Sequence, residues 1–191
     1  MRPIPDRMIA RNDRQGLRVT SKRKRVALRP GDVFEITTPD GACGYGVIIL
    51  GGGCPYIILL RGLHRQRPLI SELEEANIVL VGWTMDALFY RGDWKVIASG
   101  YPQRDDVPYP NHIVSVGTEL ITTDYMGNSL GNVRAHEVGL LEPKSSRAPI
   151  GFHKAFIALH GHGEWRESDA ELTAEHARKR MTRHPVGTTT H

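Results

Sequence analysis

The residues best suited to chemistry are His160-Gly161-His162 with Glu164 beyond it, a triplet at Gly51-Gly52-Gly53, two cysteines, and two clusters of carboxylates. Histidines two apart can both face a zinc ion, but a third ligand such as His153 or His136 would have to come from elsewhere. At the end of a helix the same imidazoles satisfy free carbonyls and oppose the dipole, and the helical spacing before them favours that reading. The glycine triplet follows a strand, yet Cys54-Pro55 and a second strand come next. A phosphate loop needs a lysine and a hydroxyl residue opening a helix, so the triplet reads as a hairpin connection. Gly44-x-Gly46 lacks the third glycine of the dinucleotide fingerprint and begins a strand, which suggests close strand packing or a bulge. Cys43 and Cys54 sit beside glycine turns in no activating context. The chain has no nucleophile elbow and no H-E-x-x-H, of which His136-Glu137 is only a fragment. No catalytic residue, metal ligand or cofactor is expected.

The carboxylates are more informative as a surface. Glu72, Glu74 and Glu75 cluster in a polar segment between strands, and Asp105-Asp106 lie in a Pro-rich loop from Tyr101 to Pro110. Loops held by a rigid sheet are common interaction sites, and acidic groups steer a basic partner toward them. Tyr101, Tyr109 and Tyr125 would supply aromatic anchors. Glu72, Glu74, Glu75, Tyr101, Asp105, Asp106, Tyr109 and Tyr125 are therefore the candidate partner-binding residues. The competing reading is that the acids are solvated charges that keep the protein soluble.

Positioning these groups is the task of a chain of 191 residues, enough for one domain with trimmings. Its net charge of +4 is unevenly spread. Residues 1–29 hold ten Lys/Arg against two Asp, residues 30–163 ten basic against fourteen acidic, and residues 164–191 five of each. Residues 1–26 show no apolar periodicity and end in Lys22-Arg23-Lys24-Arg25, so they read as a basic flexible arm. Residues 11–29 could contact nucleic-acid phosphates, although no aromatics interleave with the basic run and the body is acidic. No apolar run approaches the ~18 residues of a membrane-spanning helix, and the first residues hold no apolar stretch of signal-peptide type. Two cysteines make no disulfide framework, so the expected compartment is the cytoplasm.

From Val26 the texture is that of strands. Val33–Ile36 lies between Pro30-Gly31-Asp32 and Pro39-Asp40-Gly41, both turn chemistry. Residues 44–50, 56–60, 78–81, 95–98, 113–116 and 119–124 follow as short β-branched runs, with weaker strand material to Leu141. A short helical turn over 84–90 would be capped by Thr84. Phe152, Ala155, Phe156 and Leu159 fall at i, i+3, i+4, i+7 and predict a helix over 149–160, capped by Ser146 with Pro149 near its start. Ser168 and Glu171 read as a capping box opening a second helix to about Arg180, whose small alanine face predicts fraying. Residues 167–191 then comprise a marginal helix and a disordered tail. Strands followed by helices predict an α+β fold, a mainly antiparallel curled sheet or small barrel with C-terminal helices. Trp94 is expected in the core, Trp83 in the core or lining a cavity, and Trp165 as a clamp on the C-terminal segment.

The string Pro30-Gly31-Asp32-Val33-Phe34-Glu35-Ile36, followed by Asp40-Gly41 and Gly44-Tyr45-Gly46-Val47-Ile48, resembles the opening of the immunity protein 26 family. Trp83-Thr84 through Gly92-Asp93-Trp94-Lys95-Val96-Ile97 is similar to its tryptophan-containing strand. Ala148-Pro149-Ile150 leading to His160-Gly161-His162-Gly163-Glu164-Trp165 is similar to its C-terminal helix and closing tryptophan. The resemblance covers about residues 27–166 as a single β-rich domain. It implies a non-enzymatic protein that binds and neutralises a cognate bacterial polymorphic toxin by stoichiometric occlusion, and it supplies no toxin-contacting residues. An acidic body would suit a basic nuclease toxin. The rivals are a nucleic-acid-binding module using the arm, and a hydrolase using His160/His162 or Cys43.

Overall fold

A computed structural model describes residues 27–182. The arm expected over 1–26, with nearly all of the phosphate-contacting stretch 11–29, and the last nine residues of the expected tail lie outside the described residues.

The chain builds β1 (Val33–Thr37), β2 (Cys43–Leu50), β3 (Tyr56–Leu60), α1 (Ile70–Glu74), β4 (Ile78–Trp83), α2 (Ala87–Arg91) and β5 (Lys95–Ala98). It continues through β6 (His112–Val116), β7 (Glu119–Thr123), β8 (Ser129–Asn132), α3 (Pro149–Leu159) and α4 (Ala174–Lys179), with 3-10 turns at Ala135–Glu137 and Glu167–Leu172. The fold is α+β. Five strands pair in the order β4-β3-β2-β1-β5 and three in the order β6-β7-β8, every pair antiparallel. Neither sheet closes into a barrel.

Strands buried on both faces need apolar residues at every position, and this explains why β3 (Tyr56-Ile57-Ile58-Leu59-Leu60) is buried throughout. Phe34, Ile36, Ile48, Ile57 and Leu59 point to one face, where Phe152, Ala155 and Phe156 of α3 cover them together with Trp94. Val33, Tyr45, Val47, Tyr56, Ile58 and Leu60 point to the other, under Leu73 of α1, Tyr101 and Val107 of the following loop, and Ala174 and Ala177 of α4. Gly44 and Gly46 are close-approach positions. A Cβ on Gly44 would meet the Phe156 ring at 2.1 Å, and one on Gly46 would meet Phe34 at 2.3 Å. The turn Gly51-Gly52-Gly53 joins β2 to its antiparallel neighbour β3, as a hairpin connection should.

Local capping differs from the sequence expectation in three places. Thr84 is buried, and its hydroxyl donates to the Arg147 carbonyl at 2.9 Å, leaving Asp86 at the N-cap of α2. Ala148, not Ser146, precedes α3, with Pro149 at its first turn. The last helix begins later than the Ser168/Glu171 pattern suggests, because the chain first makes a 3-10 turn; Thr173 then caps α4, its Oγ1 accepting from the His176 amide at 3.2 Å. The alanine face of α4 is buried. Ala174 and Ala177 are small enough to let the helix lie close on β4, where both are buried. Leu159 and Trp165 are exposed. Trp94 is buried, stacks on Phe34 with centroids 5.0 Å apart, and donates from Nε1 to His153 Nδ1. α1 was read from sequence only as a polar segment.

Candidate partner-binding surface

The loop after β5 crosses the second face of the five-stranded sheet and is fixed there by Arg104. Its guanidinium donates to both Asp106 carboxylate oxygens at 2.7 and 2.6 Å, to the carbonyls of Glu74 and Ala76 at 3.0 and 2.7 Å, and to the Tyr101 hydroxyl at 3.2 Å. Tyr101 in turn donates to the Leu73 carbonyl at 3.2 Å. One side chain therefore ties α1 to the loop, and Arg104 holds the Asp106 carboxyl below the usual carboxylate range. At the loop's entrance the Asp32 carboxylate accepts from the Arg29 amide and the Ser99 hydroxyl, at 2.8 and 2.6 Å.

At the loop's far end three tyrosines stack. Tyr109 lies 5.6 Å from Tyr56 and 4.2 Å from Tyr125, centroid to centroid, with planes within 30° of parallel. Tyr56 is buried and donates to the Pro108 carbonyl. Burial, and then the neighbouring Tyr125, push the Tyr109 phenol up to about 12. Between the Arg104 end and the tyrosine end lies a cleft of about 330 Å³, walled by Val47 and Leu50 of β2 and by Tyr101, Arg104, Tyr109 and Tyr125. Glu74 and Glu75 at the end of α1, and Asp105 next to Arg104 in the loop, are exposed.

The eight sequence candidates thus fall on one face, but in different capacities. Tyr101 is only 5% exposed and belongs to the loop's foundation, so it is no exposed anchor. The Glu72 carboxylate accepts from the Leu69 amide at 2.8 Å and caps α1. Asp106 is committed to Arg104, whereas Glu74, Glu75 and Asp105 are exposed and Tyr109 and Tyr125 are half-buried beside the cleft. Sequence reasoning missed Arg104 and Tyr56. An arginine between Tyr101 and two aspartates looks self-neutralised, and nothing local shows that it also reaches carbonyls nearly thirty residues away.

Elsewhere, His160 Nδ1 lies 2.9 Å from the Phe156 carbonyl, the capping geometry expected of a histidine ending α3. His162 Nε2 is 3.5 Å from Asp40. Both cysteines are free, and among the described residues no three His, Cys, Asp or Glu side chains are grouped to hold a metal ion. No helix among those residues is long and apolar enough to cross a membrane.

Residues 29–117 match the family model described as immunity protein 26. The match takes in β1 through β6 and the whole Arg104 loop, and stops short of Tyr125, α3 and Trp165. No curated protein and no solved structure matches the chain. Over residues 29–117, just under half of its length, the chain is therefore similar to the immunity protein 26 family.

Proposed function

We propose that this protein is a cytoplasmic, non-enzymatic antidote that binds a cognate polymorphic toxin and neutralises it by occluding the toxin's working surface. The observation that carries the reading is the extent of the family match. It contains both the five-stranded sheet and the Arg104 loop that walls the cleft. The cleft supplies what a tight protein interface needs at its centre. Two half-buried tyrosines offer rigid, amphipathic area, and apolar β2 residues form the floor. The exposed acids of α1 and the Arg104 loop favour a partner with a basic surface, such as a nuclease, and act on its association rate more than on its final affinity. A stable complex would bury roughly 800 Å² on each side.

The test is co-expression and capture with the tagged full-length chain and with a version lacking residues 1–26. Both should recover one polypeptide in equimolar amount, one that stops growth when expressed alone and does not when the antidote is present. Recovery of nucleic acid by the full-length chain only would replace this reading with a nucleic-acid-binding one.

A further inference from the structure

Among the described residues, the buried side-chain nitrogen and oxygen atoms without a hydrogen-bond partner are Trp83 Nε1, His112 Nε2, His176 Nε2 and Arg180 Nε. All four residues line one pocket, where the end of β4, the start of β6 and α4 meet. Burying an unpaired polar atom is costly, so four gathered in one place call for a shared partner. His112 and Arg180 are both more than nine-tenths buried.

The chemistry of that partner follows from what the four groups can do. Indole and guanidinium nitrogens only donate. His112 Nδ1 faces Arg180 Nη2 at 3.4 Å, and a guanidinium can only donate there, so the His112 proton sits on Nε2. His176 is free to adopt the same tautomer. The pocket therefore presents up to four N–H groups, and an ionised carboxylate offers about four acceptor positions on two oxygens. The volume agrees. About 50 Å³ holds three or four atoms of water size, the bulk of a formate or acetate ion. Arg147 is paired with Glu171 and Arg180 with Glu142, while Lys144, 4.1 Å above the Trp83 ring, offsets the charge of Asp124 that also reaches His112. Burial, then Arg180 and Lys144, push the His112 imidazole down to about 4, which keeps it a neutral donor at pH 7. Exposed Ser145 and Glu171 mark the mouth, and Tyr56 and Phe152 the floor.

We propose that the pocket between Trp83, His112, His176 and Arg180 binds a carboxylate, either a small free acid or the side chain of a partner's Asp or Glu. The site lies outside the tyrosine cleft and does not depend on the toxin-binding reading. Ordered water is the competing occupant.

The experiment follows the Trp83 indole N–H and the histidine ring signals of the full-length, ¹⁵N-labelled protein by NMR. Sodium acetate is titrated against sodium chloride at equal ionic strength. Saturable shifts of Trp83, His112 and His176 with acetate alone are expected. Trp83→Phe and His176→Phe keep a ring in place but remove one donor each, and each should weaken binding ~10-fold when read at His112. An unchanged Trp94 signal verifies the fold of each variant. A blocked glutamyl peptide separates the two sources: saturation by it assigns a partner's side chain, and saturation by acetate alone assigns a free acid. Equal shifts with acetate and chloride, no shifts, or shifts untouched by both variants would leave water as the occupant and overturn the proposal. Tighter binding of inorganic phosphate, with five heavy atoms, would overturn the carboxylate assignment.

Discussion

The two faces of the five-stranded sheet are built from the same strands, residue by alternate residue, yet they are closed in opposite ways. On one face an eleven-residue helix lays Phe152, Ala155 and Phe156 onto Phe34, Ile48 and Ile57, and Trp94 and Phe89 complete an aromatic cluster with centroids about 5 Å apart. The glycines at 44 and 46 exist to let that layer approach. On the other face a loop, a five-residue helix and the small α4 share the cover, held by hydrogen bonds from Arg104 and by stacked tyrosines. The first face is closed mainly by apolar packing. The second leaves a cleft with half-buried phenol rings, and exposed acids on α1 and the Arg104 loop. Under the function proposed above, stability and recognition would fall on opposite sides of one sheet, and mutations should separate them.

The largest effect is expected on the α3 face. Phe156→Ala empties space between α3 and the strands and should cost ~3–5 kcal/mol in chemical denaturation. A loss below 1 kcal/mol would mean that α3 is not the structural lid described here.

Acid should attack at the pocket that holds His112. The His112 imidazole is pushed down to about 4 by burial and then by Arg180 and Lys144. The unfolded chain, with its ordinary value near ~6.5, takes up the proton first, so this contribution is complete above pH ~6.5 and is lost as pH falls toward 4. The total is up to ~3 kcal/mol, and His112→Gln should flatten that part of the stability curve measured between pH 7 and 4.

Arg104→Ala comes next. It deletes the ties between the loop and α1 and exposes Tyr101 to water; it should cost ~2 kcal/mol and raise hydrogen exchange in residues 99–111 without touching α3. Exchange rising equally on both faces would show that they are not independent.

Most of the α3 face was legible in the sequence. Its strands are unbroken β-branched runs, and the spacing of Phe152, Ala155 and Phe156 is that of a helix. The other face was legible only in part. α1 is too short to show periodicity, with Leu73 as its one buried residue. The tyrosines and acids could be seen as a group, but not that Tyr101 lies under the loop while Tyr109 and Tyr125 line the cleft. Nor could any local pattern have found a pocket assembled from positions 83, 112, 176 and 180. Fraying was read from the small side chains of Ala174 and Ala177, and it is their smallness that lets α4 dock.

The smallest effect on stability belongs to the exposed acids of α1 and the Arg104 loop. Glu74→Gln, Glu75→Gln and Asp105→Asn together should change stability by less than ~0.5 kcal/mol. They should also slow association with a basic toxin several-fold at low salt, an effect that fades at high salt in stopped-flow measurements. Asp106 is left out of this set because it anchors Arg104.

The central claim is that the tyrosine cleft, and not the α3 side, is where the toxin docks. Its most direct test is the affinity of the purified toxin for three forms of the full-length chain: unaltered, Tyr109→Ala, and Leu159→Ala on the exposed side of α3. Tyr109→Ala should weaken binding by about 2 kcal/mol, roughly 30-fold, with Leu159→Ala unchanged. The reverse pattern, or equal affinity in all three, would contradict the account.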